Sequence, residues 1–231
     1  MSHRAFVASM LAGASLFVSG VPASAAPLSL IGNDAAFTAF CADIDCDQAV
    51  AEARIGNAAL NGTHEVTAGL STSNNALFDA GQFAWVNGQA EDFTLSYDGS
   101  DLSLAIGSTS TSFTVGAVDF DAVYARVRTT GASSLSLTDL SWNTGETLAS
   151  ITPSNENGAL IWQLLVPTGA TSLSGKIALG WTSDAAPTNS NLAAQFKLGE
   201  APAPIPLPAA AWLLLSGLVG LGLLGRRRHE A

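Results

Sequence analysis

Asp92-Phe93-Thr94-Leu95-Ser96-Tyr97-Asp98-Gly99-Ser100-Asp101-Leu102-Ser103-Leu104-Ala105-Ile106 is the stretch whose pattern decides the fold. Phe93, Leu95 and Tyr97 alternate with Thr94 and Ser96. After the break at Asp98-Gly99-Ser100, Leu102, Leu104 and Ile106 alternate with Ser103 and Ala105. Successive side chains of an extended chain point to opposite faces, so this period of two buries one face and wets the other. Two such runs joined at Asp-Gly read as an antiparallel hairpin, because glycine tolerates the backbone conformation of a tight turn.

The same period continues toward the C-terminus. Phe113 and Val115 share one face, and Val123, Ala125 and Val127 are opposed by Tyr124, Arg126 and Arg128. Leu135 and Leu137 are out of phase by one residue with Leu140 and Trp142, which predicts a bulge or break near Thr138. Three later runs are regular: Leu160-Trp162-Leu164-Val166, Ile177-Leu179-Trp181 and Leu192-Ala194-Phe196-Leu198. Asn155-Glu156-Asn157-Gly158 and Ala186-Pro187-Thr188-Asn189 punctuate them as turns. About eight to ten short strands without a long helix predict an all-β chain, an antiparallel β-sandwich of the jelly-roll or immunoglobulin-like kind. Its span is taken as residues 63–200. Trp85, Trp142, Trp162 and Trp181 fall on or beside apolar strand faces and are expected to pack the core rather than to stack on sugars. Residues 26–62 lack a period of two; this Ala-rich stretch, with Phe37 and Phe40 among its apolar markers, reads as a partly helical capping segment.

That segment holds both cysteines, Cys41 and Cys46, with four residues between them. A close pair on an exported chain reads as a small disulfide loop that pins a local turn and is worth about 2 kcal/mol. Thiolate metal sites need more Cys or His at suitable spacing than this stretch supplies.

The two ends argue for export. Met1–Arg4 carry positive charge, residues 5–20 are apolar and small, and Pro22 precedes Ala23-Ser24-Ala25. This is the three-part pattern of a cleaved signal peptide spanning residues 1–25, with Ala23 and Ala25 at the cleavage site. An uncleaved N-terminal anchor is the alternative. At the other end, the Pro-rich stretch 201–208 leads into an apolar run, residues 209–225, and then Arg226-Arg227-Arg228 within a basic tail of residues 226–231. At the helical rise the run spans about 25 Å, at the short end for a single transmembrane helix. Trp212 sits near one edge of the run, and the three arginines are expected to stay cytoplasmic, placing the domain outside the inner membrane.

Ile205-Pro206-Leu207-Pro208-Ala209, the apolar run and the terminal arginines stand in one order. This tail resembles the VPLPA-type sorting domain, a relative of PEP-CTERM signals; Ile205 stands where that family usually has Val. The resemblance implies that an integral-membrane exosortase reads Ile205–Ala209, cleaves nearby, and releases or transfers the protein. A plain single-pass anchor is the other reading of the same residues. Gly220-Leu221-Gly222-Leu223-Leu224-Gly225 matches a dinucleotide-binding fingerprint, but it lies inside the apolar run, without the strand and the downstream acid that fingerprint needs.

The segment Phe83 to Gly99, above all Trp85-Val86-Asn87-Gly88 and Asp92-Phe93-Thr94-Leu95, resembles the choice-of-anchor domains of type W. Over about Gly56 to Leu198 the resemblance implies a bacterial surface module with an interchangeable anchor, and names no ligand.

The chain is acidic, with 19 Asp and Glu against 9 Lys and Arg. Four of those basic residues are Arg4 and Arg226–Arg228, so the exported part keeps only Arg54, Arg126, Arg128, Lys176 and Lys197 against every acid but Glu230. Such a surface repels nucleic acid. His64 is the one histidine of that part, in a polar stretch, too little for a multi-histidine metal site or a supported general base. No nucleophile elbow or protease-like cysteine context is present. Glu91 with Asp92, Asp98 with Asp101, and Asp119 with Asp121 are neighbours in sequence, whereas a glycosidase needs carboxylates facing across a cleft. Asp43-x-Asp45-x-Asp47 opens like a calcium loop, but Gln48 and Arg54 stand where an EF-hand needs Gly and an acid, which leaves only an irregular calcium site. Asn61-Gly62-Thr63 matches a glycosylation sequon that carries little meaning on a bacterial-type exported chain. The expectation is therefore a non-catalytic envelope protein without a cofactor. Its partners would be an exosortase, the inner membrane and, in the alternative reading of the domain as a carbohydrate-binding module, extracellular polysaccharide.

Overall fold

The computed structural model describes residues 28–55, 65–70, 75–131, 133–152, 158–182, 187 and 191–203. The first half of the described chain forms β1 (Leu28–Gly32), a helix α1 (Asp34–Phe40), β2 (Ala49–Ile55), β3 (Val66–Gly69), β4 (Phe78–Gly81), β5 (Ala90–Tyr97) and β6 (Asp101–Ile106). Then follow β7 (Thr109–Thr114), β8 (Ala122–Thr129), β9 (Ser133–Trp142), β10 (Gly158–Leu165), β11 (Ser172–Trp181) and β12 (Leu192–Gly199). All pairings are antiparallel, in one sheet of order β1-β10-β8-β12-β2-β3-β4 and a second of order β7-β6-β5-β11-β9.

The 92–106 stretch is the β5–β6 hairpin, with Phe93 opposite Ile106, Leu95 opposite Leu104 and Tyr97 opposite Leu102. Gly99 turns it with φ of 102°. Those six side chains are buried in one core cluster with Val123, Ala125 and Val127 of β8 and Leu192, Ala194, Phe196 and Leu198 of β12. The alternation is thus resolved into two inner faces meeting across the space between the sheets.

The phase change near Thr138 is a bulge. Ser174 pairs with Ser141 and Lys176 with Thr138, so Gly175 alone faces both Asp139 and Leu140. Asp139 takes φ of 53° to absorb the extra residue. A side chain at Gly175 would place its Cβ 2.7 Å from the Thr138 carbonyl and 3.0 Å from the Phe93 ring, so the bulge closes only over glycine.

The N-terminal stretch differs from the expected separate cap. β2 lies inside the larger sheet, hydrogen-bonded to β12 on one side and β3 on the other, and β1 extends the same sheet next to β10. The sheet therefore runs across the expected boundary at 62/63. The inner face of β2 is Ala49, Ala51, Ala53 and Ile55, and three alanines show little apolar contrast with their neighbours. α1 is capped by the Asn33 side chain, which accepts from the Ala36 amide at 3.0 Å, and its Phe37 is buried against the outer face of the larger sheet.

Of the four tryptophans, Trp142 is buried in the core, and Trp85, Trp162 and Trp181 are partly buried against it. Residues 82–89 are strapped to the pole where β12 begins. The Trp85 indole N–H donates to the Arg54 carbonyl at 2.8 Å. Asn87 both donates to the Trp181 carbonyl and accepts from its amide, each at 2.8 Å. The Gly88 amide donates to the Leu179 carbonyl at 2.8 Å, with φ of 74° at Gly88. Trp85-x-Asn87-Gly88 is therefore a structural fastening.

Candidate functional site at the root of the C-terminal tail

β12 runs through the middle of its sheet and ends at Gly199, at the pole opposite the Trp85 strap. Every expected processing residue lies beyond the described part: Ala23 and Ala25, Ile205 to Ala209, Trp212, and Arg226, Arg227 and Arg228. So do His64 and Asn61-Gly62-Thr63. What is visible is the root of the tail, residues 199–203, and the groups that hold it.

Cys41 and Cys46 are disulfide-bonded, with Cα atoms 5.8 Å apart. The Cys41 amide donates to the Phe37 carbonyl at 2.9 Å, so the loop springs directly from the end of α1. Its other arm reaches the tail root. The Glu200 amide donates to the Asp45 carbonyl at 2.8 Å, and the Gln48 amide to the Leu198 carbonyl at 2.9 Å. The approach is tight: a Cβ on Gly199 would lie 2.4 Å from the Cys46 carbonyl carbon and 2.5 Å from the Asp45 oxygen.

From the other side come Asp121, just before β8, and Tyr124 on it. The Asp121 amide donates to the Gly199 carbonyl at 3.3 Å, and the Asp121 carboxylate accepts from the Ala201 amide. The Tyr124 hydroxyl donates to the Glu200 carbonyl. Tyr124 is fully buried, with Phe37 and Phe40 edge-on to its ring at 5.2 and 5.9 Å. Burial, reinforced by the Asp121 and Glu200 carboxylates, pushes its phenol up to about 12, so it remains a donor through neutral and moderately alkaline pH.

Salt bridges lock α1 and the loop to the sheet. Arg126 grips Asp34 with two bonds, Nε to Oδ1 at 2.6 Å and Nη2 to Oδ2 at 2.8 Å. Lys197 pairs with Asp47 and lies 5.5 Å from the Phe37 ring centroid. Hydrogen bonding to Arg126 holds the Asp34 carboxyl below its ordinary value of 3.8. The pair therefore contributes in full above that ordinary value, and the contribution is lost as pH falls through the lower folded value. On acidification, α1 is expected to loosen below pH 3.8 in wild type, and Asp34→Asn is expected to abolish that step. Hydrogen exchange at the Phe37 and Cys41 amides reads the difference.

The described acidic residues are engaged one by one with amides and cations. Asp45 accepts from the Asp47 amide at 3.3 Å, and the Asp47 carboxylate is engaged by Lys197. Asp92 pairs with Lys176, and Asp98 caps its turn by accepting from the amides of Ser100 and Asp101 at 2.9 and 2.8 Å. Those backbone bonds hold the Asp98 carboxyl below its usual range. Asp119, Phe120, Asp121 and Glu200 line a shallow concavity beside the tail root. Among the described residues, no group of three or more His, Cys, Asp or Glu is placed to hold a metal ion.

Sequence reasoning found the cysteine pair and missed that its loop meets Gly199 and Glu200, and that Asp121 and Tyr124 hold the same stretch. The one local signal was Tyr124, an aromatic on the polar side of an alternating strand. No protein-family model matches the chain, and no curated protein matches it. Among the described residues no helix is long and apolar enough to cross a membrane, and residues 209–225 lie outside them.

Proposed function

We propose that this is an exported bacterial envelope protein whose non-catalytic β-domain is carried by a VPLPA-type C-terminal sorting tail. In this reading residues 1–25 are removed on export, and residues 209–225 hold the chain in the inner membrane with Arg226–Arg228 on the cytoplasmic side. An exosortase acts near Ile205–Ala209, after which the domain passes to the cell surface or the medium. The observation that carries the reading is chain order. The last strand, central in its sheet, ends at Gly199, and Ala201-Pro202-Ala203-Pro204 then leads at once into the Pro-containing motif, the apolar run and the arginines. A domain tethered there hangs from one of its best-held strands. Strands β7 to β12 alternate between the two sheets, which supports the jelly-roll or immunoglobulin-like reading of the sandwich.

The test is the mass of the mature protein from hosts with and without an exosortase. The expected result is a chain starting near Ala26 in both, with Arg226–Ala231 lost only where the exosortase is present. An intact C-terminus in both hosts would reduce the tail to a plain anchor.

A further inference from the structure

We propose that the Cys41–Cys46 loop is a redox-operated clasp on the tail root: oxidised, it holds Glu200 and Ala201 down from one side, and opened by an external dithiol it loosens that hold while the sandwich stays folded. The proposal requires only that the chain leaves the domain at Gly199. It stands or falls independently of whether an exosortase reads the tail.

Three observations converge on it. The loop provides the acceptor for the Glu200 amide, through the Asp45 carbonyl at 2.8 Å. It provides the wall against which Gly199 is pressed, through the backbone of Asp45 and Cys46. Its Ile44 and Cys46 share an apolar cluster with Ala201 and Tyr124. All three contacts come from Ile44, Asp45 and Cys46, at the closing end of the disulfide loop, so they depend on that loop keeping its shape. The remaining grips, from Asp121 just before β8 and Tyr124 on it, do not run through the loop and survive opening. Release is therefore a loosening from one side, and the core, which lies on the other face of the sheet, is untouched.

The chemistry balances with an external dithiol as reductant. One of its thiolates attacks the half-buried Cys41 sulfur, because Cys46 is buried. The Cys41–Cys46 bond breaks, and Cys46 leaves as a thiolate that takes a proton. The second thiol of the reagent then attacks the mixed disulfide, freeing Cys41 as a thiol and leaving the reagent as its own disulfide. Two electrons pass to the protein.

Hydrogen exchange on the full chain in detergent micelles, with and without dithiothreitol, tests it. Reduction is expected to speed exchange at the Glu200 and Gln48 amides on the order of tenfold or more, leaving Leu104 of β6 and Leu137 of β9 unchanged. Cys41→Ser with Cys46→Ser should show the fast exchange without reductant and no response to it. Unchanged exchange at Glu200 on reduction, or an equal rise at Leu104 and Leu137, would overturn the clasp.

Discussion

Glu52→Ala is expected to lower the free energy of unfolding by about 3–5 kcal/mol, far more than removal of any other acid in the described structure. Glu52 and Arg54 sit two residues apart on β2, on the outer face of the larger sheet, and are only 5% and 2% exposed. Their charges meet at 3.3 Å. Gln195 of β12 donates to the same Glu52 oxygen at 3.4 Å, and Arg54 donates to the Thr67 hydroxyl of β3 at 3.3 Å. The pair thus ties three adjacent strands. Truncating Glu52 leaves a guanidinium in a poorly solvated place without its carboxylate, and deprives the Gln195 amide of an acceptor. Replacing both charges at once, as Glu52→Leu with Arg54→Met, is expected to stay within about 1 kcal/mol of wild type or to exceed it, because the desolvation cost disappears together with the attraction. Asp92→Ala is the control. Its partner Lys176 and its own side chain are 44% and 82% exposed, and solvent screening leaves such a pair little effect on stability. Urea unfolding of the variants decides it, and a loss at Glu52→Ala no larger than at Asp92→Ala would sink the argument.

β2 also shows where reading the sequence stops short. The 92–106 hairpin was legible because Phe, Leu and Ile alternate with Ser and Thr, so its two faces differ strongly in polarity. In Ala49-Val50-Ala51-Glu52-Ala53-Arg54-Ile55 the contrast is inverted: the core face is mostly alanine, while the outer face carries a valine and a buried ion pair. A strand buried on both sides gives no clean period of two. The bulge at Asp139 was legible for the opposite reason. A one-residue slip moves every later apolar residue to the wrong face, and Leu140 and Trp142 could not both be buried without it.

The candidate site was legible only at its cysteines. Their spacing marks a small loop, but nothing near Cys41 indicates that Asp45 will meet Glu200, because that contact is set by the pairing of β12 with β2 and β8. The same register brings Arg54, Arg126, Arg128 and Lys197 onto one sheet face. In the sequence these four are scattered across an acidic chain. There Asp34 and Asp47 engage Arg126 and Lys197, which lets an acidic N-terminal module seat itself over the end of the last strand. Complementarity of this kind is a property of the folded face and has no local signature.

The alanines of β2 make sense only beside Phe196, and this gives the second large effect. Phe196 is fully buried at the centre of β12, directly paired with Ala51 of β2 on one side and Ala125 of β8 on the other. Its ring stacks on Phe93 of the opposite sheet, with centroids 5.3 Å apart and planes at 23°. A large side chain between two methyl groups fills the width of the sandwich, the large–small alternation that close packing demands. Phe196→Ala is expected to cost about 3–5 kcal/mol, toward the upper end, because Ala51 and Ala125 are too short to collapse into the void. For a domain of this size that corresponds to a fall in melting temperature of about 6–20 °C. Restoring volume from a neighbour, as in Ala51→Leu on the Phe196→Ala background, is expected to recover part of the loss. The same Ala51→Leu change alone should destabilise by about 1–3 kcal/mol through overpacking. A thermal-melting double-mutant cycle measures the coupling. If the two changes are simply additive, the void is not shared, and the small residues of β2 are unrelated to the ring they flank.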